Sequence, residues 1–322
     1  MTASLVVGVD VGGTTIKTGL VDRHAGLTAG WRGRTPVSSG PEAVCDAVLA
    51  GVEDAVDRAP AGQVAAVGVV VPGIIDEQGG IARSAANLGW TDVPLRKLVA
   101  ERVGLPAVLG HDVRAAALAE GRLGAASGAD AYLFMALGTG IGAAVVLGGG
   151  TYVGTHGRAG EFGHTCVDPA GPRCACGGRG CIETFAAGPA IASAYARRAG
   201  LTGPVDAVQV SRQAAVGDPV AGEVWARAIR ALAIGIANYV TLLDPQLIVI
   251  GGGVATAGER LFTPLRAALR ETLPDFVPPP PVLAAQLKEA GILGAAMLAW
   301  SAIGVQLGGR GPVSQRWPEP GR

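Results

Sequence analysis

Between Glu161 and Glu183 the chain reads EFGHTCVDPAGPRCACGGRGCIE and concentrates four of its five cysteines and one of its four histidines. Cys174 and Cys176 stand one residue apart, and the Gly-Gly-Arg-Gly stretch after them lets the chain fold back before Cys181. His164 lies upstream and can close the cluster from the other side. Three thiolates and an imidazole make a complete tetrahedral shell for zinc with no position open to water, which is the chemistry of a structural ion. The same residues could instead form a disulfide or be plain buried cysteines. A cysteine knot in an otherwise cysteine-poor chain without a secretory signal favours the metal. Cys166 lies outside the spacing and Cys45 falls within a helical pattern, so neither is expected to bind it.

Carboxylates bracket this knot. Glu161 precedes His164, and Glu183 follows Cys181. Carboxylates fixed by a metal loop and paired with an imidazole suit a polyhydroxylated ligand, because each can accept from a sugar hydroxyl. His164 could face the metal with one ring nitrogen and the ligand with the other. In the alternative reading, Glu161 and Glu183 only support the metal shell or are solvated.

Two glycine turns carry a different chemistry. Leu5–Val9 is an apolar run that reads as a buried strand and ends at Asp10, and Ile16–Val21 reads as a second strand. Residues 10–15 therefore form a hairpin turn. Gly12 and Gly13 remove side chains where backbone must approach a ligand, and amides in such a turn can cradle phosphate oxygens. Thr14 and Thr15 add hydroxyls. Asp10, at the strand end, is placed to hold Mg²⁺ directly or through water. The design recurs: a strand over 131–137, then Gly138-Thr139-Gly140-Ile141-Gly142, then a strand over 143–147. Such an internal repeat points to a duplicated fold with one phosphate turn in each half. A third approach of backbone to ligand is offered by Gly251, Gly252 and Gly253 after a strand over 247–250.

These residues need elements to position them. Apolar spacing predicts helices over 41–58, with Pro41 at the first helical position, and over 94–103, 188–199, 219–243, 258–272 and 290–303. Val64–Val71 is a buried strand ending at Pro72-Gly73. Asn87, Gly89 and Trp90 follow in a loop, where Trp90 is either a packing ring or a sugar-stacking one. A strand over 107–109 stops at Gly110-His111-Asp112 and a helix begins, so Asp112 is expected at a strand end and at the helix N-cap.

At 322 residues the chain is long enough for two cores. Its formal net charge is zero and no basic stripe is present, which argues against binding nucleic acid or an anionic membrane by bulk electrostatics. No uncharged apolar stretch approaches the roughly 18 residues of a membrane span. The N-terminus lacks the basic region of a secretory signal. A soluble cytoplasmic protein is expected.

Taken together, the turn at 10–17, His111-Asp112 before a helix, GTGIG at 138–142, EFGH at 161–164, CACGGRGCIE at 174–183 and GGG at 251–253 resemble the ROK family of bacterial sugar kinases and repressors. The resemblance spans residues 5 to 303. It implies the actin-like ATPase (ribonuclease H-like) fold, an α/β architecture of two duplicated domains with a cleft that closes on the sugar. The N-terminal domain would cover 1–112 and be completed by a helix over 290–305. The C-terminal domain would cover 113–289 and carry the zinc knot and adenosine site, and 306–322 would be a disordered tail.

The resemblance also assigns roles. Asp112 matches the catalytic base. Gly73, Asn87, His111, Asp112, Glu161, His164 and Glu183 match the sugar site. Asp10, Gly12, Gly13, Thr14, Thr15 and Lys17, with Gly138, Thr139, Gly140 and Gly142, match the phosphate cradle, and Gly251–Gly253 the adenosine side. His164, Cys174, Cys176 and Cys181 match the zinc shell. An ATP-dependent hexose kinase acting on glucose is the leading expectation, with structural Zn²⁺, Mg²⁺ brought with ATP, and a homodimer or homotetramer as the assembly. Mannose, N-acylhexosamines, fructose, allose and a cyclitol are the alternative substrates. A repressor of the family would carry a helix-turn-helix ahead of the first strand, for which a strand starting at residue 5 leaves no room. Intact Asp10 and Asp112 argue against a sugar-binding module without catalysis. One departure stands out: His111 replaces the family's usual Asn, and an imidazole is bulkier than an amide and can titrate.

Overall fold

The structure, a computed structural model, describes residues 4–305, so the tail expected over 306–322 lies outside the described residues. In chain order the strands are β1 (Leu5–Val11), β2 (Thr15–Asp22), β3 (Leu27–Arg34), β4 (Val64–Val71), β5 (Ile74–Asp76), β6 (Ile81–Ala85), β7 (Trp90–Val93), β8 (Ala107–His111), β9 (Tyr132–Leu137), β10 (Ile141–Leu147), β11 (Gly150–Tyr152), β12 (Leu247–Gly251) and β13 (Val282–Ala284). The helices are α1 (Pro41–Arg58), α2 (Leu95–Val103), α3 (Asp112–Leu123), α4 (Glu183–Ala186), α5 (Gly188–Ala199), α6 (Ala207–Ala215), α7 (Pro219–Leu243), α8 (Glu259–Thr272) and α9 (Ala290–Ala302).

Two compact units divide the described chain. The first comprises residues 4–128, 149–158 and 287–305, and the second 129–148 and 159–286. The division expected after residue 112 is displaced to residue 128, because α3 packs on α9 and so stays with the first unit.

The first unit is built on a sheet of order β3-β2-β1-β4-β8. β1, β2 and β3 form an antiparallel meander, while β4 and β8 run parallel to β1. The period-two alternation of a strand sends its side chains to opposite faces. Val7, Val9 and Val11 join Val44, Val48 and Val52 of α1 and Leu95 and Val99 of α2 in one core. Val6 and Ala66 point the other way, to Ile292, Ala296 and Trp300 of α9. That helix is apolar all round, as expected of one covered on every side. It lies very close to the sheet: a Cβ on Gly68 would fall 1.9 Å from the Ala295 carbonyl oxygen, and one on Gly8 2.4 Å from that of Ile292. β5, β6 and β7 make a small separate sheet.

The second unit repeats the theme. The β9–β10 hairpin is antiparallel, β12 runs parallel to β9, and β13 parallel to β12. α7 is long and apolar enough, by length and composition, to cross a bilayer. Its Val224, Trp225, Leu232 and Ile236 instead fill the core of this unit together with Leu133, Ile248 and Leu265.

The close approach of α9 predicts that Gly68→Ala destabilises the protein by about 2–3 kcal/mol through overpacking against backbone that cannot yield. Urea unfolding of the variant beside a surface control such as Gly62→Asn measures it.

Candidate active site

Ligands of α/β sheets bind beyond the carboxyl ends of parallel strands. In the first unit three such ends share one edge: β1 at Asp10, β4 at Val71 and β8 at His111, with Asp10 paired to Val70 and Val71 to His111. The turn after β1 is closed before any ligand arrives. The Gly12 amide donates to the Thr15 carbonyl at 2.9 Å. Thr35, only 3% exposed at the end of β3, donates its hydroxyl to the Gly12 carbonyl at 2.6 Å and its amide to the Thr14 carbonyl at 3.0 Å. Asn87 stands beside the same turn, its Cβ 3.4 Å from where a Gly13 Cβ would be. Gly73 adopts φ 99°, and a Cβ there would lie 2.1 Å from the Ser84 carbonyl oxygen, so only glycine fits. Thr15 and Lys17 lie in β2 rather than in the turn.

Asp10 is walled in. A Cβ on Gly291 in the first turn of α9 would come within 2.5 Å of its carboxylate. Burial and the charge of Glu289 raise its pKa, against the pull of Lys17. A carboxylate left with surplus negative charge beside a phosphate turn is an oxygen donor of the kind Mg²⁺ takes, so this residue fits the ion expected there.

The expected N-cap is displaced by one residue. β8 runs through His111, which caps α3, its Nδ1 accepting the Arg114 amide at 3.4 Å, and Asp112 is the first helical residue. The reason is local: an imidazole nitrogen reaches the third amide of the helix as an Asn or Ser oxygen does. Asp112 turns its Oδ1 to the Val113 amide at 2.7 Å. Burial, and then the nearby Asp10 charge, push its pKa up to about 7. His111 moves the opposite way, to about 3, through burial and the Arg114 guanidinium. Both influences favour the neutral ring. Arg114, 3% exposed, is held by Glu77 at 3.0 Å and by the Gly157 carbonyl at 3.4 Å. Trp90 lies in β7, 2% exposed, with Nε1 donating to the Pro41 carbonyl at 2.9 Å; it is a packing ring and offers no face to a sugar.

In the second unit the glycine turn narrows to Gly138–Gly140, because β10 already begins at Ile141 and Gly142 pairs with Ala136 inside the sheet. Glu183 holds this turn, its Oε2 accepting the Ile141 amide at 2.9 Å. The Gly188 amide donates to the Gly138 carbonyl at 2.8 Å. Gly138, Thr139, Pro189, Val208, Gly253 and Thr256 line an open pocket of about 780 Å³, a volume suited to a nucleoside. Gly251 stays within β12, and Gly252 packs on Leu137.

His164, Cys174, Cys176 and Cys181 converge, with all four donor atoms within 4.8 Å of one another. His164 Nδ1 is 3.6 Å from Cys174 Sγ, and Cys176 Sγ is 3.7 Å from Cys181 Sγ. Tetrahedral zinc bound by sulfur and imidazole has donor–donor edges of roughly 3.5–3.8 Å, so the set fits that ion. The Gly178 amide donates to Cys176 Sγ and lowers its pKa, favouring the thiolate. With Nδ1 in the shell, His164 turns Nε2 toward Glu161 Oε2 at 3.9 Å. Glu161 is half exposed. Cys166 and Cys45 lie outside the cluster.

A family model described as the ROK family matches residues 6–302. The chain belongs to the ROK family. It is 37% identical to the glucokinase of Thermotoga maritima over 93% of this chain and 98% of that one. A crystal structure of a ROK hexokinase from Thermus thermophilus matches with a TM-score of 0.81 at 39% identity, covering 93% of this chain and 99% of that one. A ROK family glucokinase from Streptomyces griseus, solved in complex with glucose and AMPPNP, matches with a TM-score of 0.81 at 36% identity over 92% and 99% of the two chains. By family and by this full-length likeness the chain has the actin-like ATPase fold and is a sugar kinase, an ATP-dependent sugar phosphotransferase.

For a ROK kinase the most informative residues absent from the sequence reading are Thr35, Glu289 and Gly291. Each acts through tertiary contact with the first phosphate turn, and none sits in a motif. Arg114 and Glu77 were equally silent.

The metal-ligand geometry predicts about one zinc per chain by elemental analysis. Cys176→Ala should release the ion and raise KM for the sugar about tenfold or more while kcat changes less, as Glu161 and His164 lose their support.

Proposed function

We propose that the chain transfers the γ-phosphoryl group of ATP to the 6-hydroxyl of glucose, with Asp112 as general base. The observation that carries this reading is the Asp112 carboxyl itself. It is half-buried at the carboxyl edge of the sheet, near Asp10 and the turn after β1, and desolvation with the Asp10 charge pushes its pKa up to about 7. A base poised near the working pH combines a useful ionised fraction with real proton affinity. Asp112 takes the hydroxyl proton as the sugar oxygen attacks the γ-phosphorus; the bond from that phosphorus to the bridging oxygen breaks, and ADP leaves. Mg²⁺ bound with ATP would neutralise charge on the phosphate oxygens, and Asp10 is the residue to hold it. The turns at 12–15 and 138–140 receive phosphates, and the pocket at Gly138, Pro189 and Gly253 the adenosine.

Asn87, His111, Glu161, His164 and Glu183 are the proposed hydroxyl ligands, with Gly73 admitting the sugar to backbone. His164, Cys174, Cys176 and Cys181 would hold zinc, which would fix the loop that carries three of them. Thiolates that must stay reduced accord with a cytoplasmic protein. A homodimer is the assembly this reading expects, and Leu242 and Phe276, 79% and 83% exposed, offer apolar surface for it. A coupled ADP-release assay with ATP and a sugar panel tests the reading. Glucose should give the highest kcat/KM; preference for mannose, an N-acylhexosamine, fructose, allose or a cyclitol would replace glucose while leaving the kinase.

Asp112→Asn should lower kcat by about 10²–10⁴ with glucose and ATP affinities within a few-fold. In the wild type kcat/KM should rise with pH and level off above about 7, the pKa of the free carboxyl. The sign for stability is the reverse. A carboxyl whose folded pKa is raised contributes fully below the ordinary carboxylate range, and that contribution is lost as pH rises through about 7. The Asn variant should therefore have a higher Tm than wild type at pH 8 and an equal one at pH 4. A variant keeping a tenth of wild-type kcat would remove Asp112 from the role.

His111 Nδ1 lies 3.4 Å from the Arg114 amide and 3.3 Å from Asp112 Oδ1; when it accepts the amide, the neutral ring carries its proton on Nε2, a single donor for the substrate. An Asn can cap α3 as well, so His111→Asn should fold normally. It should change the ratio of kcat/KM between glucose and its competitors by about tenfold. An unchanged sugar profile would show that the ring only caps the helix.

A further inference from the structure

Lys17 and Asp10 face each other directly across the antiparallel β1–β2 pair. Residues so paired have side chains on one face within easy reach, and an ammonium and a carboxylate left to themselves close to about 2.8 Å. Here they do not. Lys17 Nζ stands 3.8 Å from Asp10 Oδ2 and 3.2 Å from Glu289 Oε2. Glu289 immediately precedes α9, its side chain only 16% exposed, with Oε1 tied to Arg32. Its Oε2 is buried, and the ammonium beside it is close without the alignment of a hydrogen bond. On the α9 side Gly291 leaves Asp10 no space to spare, since even a Cβ there would come within 2.5 Å of its carboxylate.

We propose that Glu289 is a positioning residue that draws the Lys17 ammonium off Asp10, so that Asp10 stays open to the metal that accompanies the nucleotide. Asp10, Glu289, Lys17 and Arg32 form a charge-balanced set of four. Within it Glu289 takes both cations and Asp10 is the least satisfied carboxylate. A dication adds to such a set without displacing an ion pair. Without the Glu289 charge, Lys17 has one carboxylate left to pair with, and the metal must compete with it. The inference rests on the assignment of 10–17 as the phosphate turn and Asp10 as the metal ligand.

The test titrates Mn²⁺ into wild type, Glu289→Gln, Lys17→Met and the double variant, each saturated with AMPPNP, reading free Mn²⁺ by electron paramagnetic resonance. AMPPNP affinity without metal, and Tm, are measured alongside. Glu289→Gln should bind Mn²⁺ about tenfold more weakly, the worth of one charge-assisted contact regained by Lys17, with metal-free AMPPNP affinity unchanged. In the Lys17→Met background the same Glu289→Gln change should alter Mn²⁺ affinity by less than about threefold, because no ammonium remains to collapse onto Asp10. Wild-type Mn²⁺ affinity in Glu289→Gln overturns the inference, as does an equal loss with and without Lys17, which would mean that Glu289 meets the metal or supports the fold directly. A wild type whose AMPPNP complex gains no Mn²⁺ site overturns the assignment of Asp10 and the inference with it.

Discussion

The distance between α9 and the first sheet is the constraint on which the rest depends. With glycines at 8 and 68, the helix backbone comes against β1 and β4 where a methyl group would collide with carbonyl oxygens. That approach carries the first turn of α9 onto Asp10 and lets α3 pack on α9 from the other side. Two carboxylates on the same edge of the sheet, Asp10 in β1 and Asp112 just after β8, are thereby largely withdrawn from water. Desolvation is the largest cause of the raised pKa at both, and at Asp112 the charge of Asp10 comes next. The fold thus stores unfavourable electrostatics at this edge of the sheet, and apolar burial elsewhere in the unit compensates for it.

Charge in this region is arranged by competition. Lys17 lowers the pKa of Asp10 while Glu289 raises it, and Arg114 acts on His111 and Asp112 in ways that both favour the basic form. The second unit uses a different means of ordering. The loop over 161–183 is anchored in the core at Phe162 and Ile182, and a thiolate–imidazole shell would order the exposed stretch between them. Glu183 shows how such a loop can act at a distance from the shell, since it holds the second glycine turn by the Ile141 amide.

What could be read from the sequence followed the strength of local patterns. α1, α5 and α7 and strand β4 have the bounds that their apolar spacing predicts, because each carries a continuous buried face. β3 was missed: LTAGWRGR is largely exposed and shows no alternation of the kind a half-buried strand has. The short β5, β6, β7 and β13 were missed for want of length, and α6 because its buried face is only Ala207, Val210 and Ser211. The cysteine shell was legible because its donors are close in sequence. The α3 cap falls one residue earlier than expected because β8 runs on to His111, whose ring caps the helix, where the apolar pattern shows a strand only over 107–109. Thr35, Glu289 and Gly291 could not be read at all, since what they do is settled by which segments the sheet order brings beside residue 10.

The proposed chemistry depends on the state of one carboxyl group. Carbon-13 NMR of the protein labelled at aspartate carboxyl carbons, with Asp112→Asn to assign the resonance, follows Asp112 directly through a pH titration of the free enzyme. The structure predicts a midpoint near 7, moving down when Mg²⁺ and nucleotide occupy the neighbouring turn. A midpoint at the ordinary carboxylate value of about 4 would show that Asp112 is neither desolvated nor coupled to Asp10, and would contradict the account.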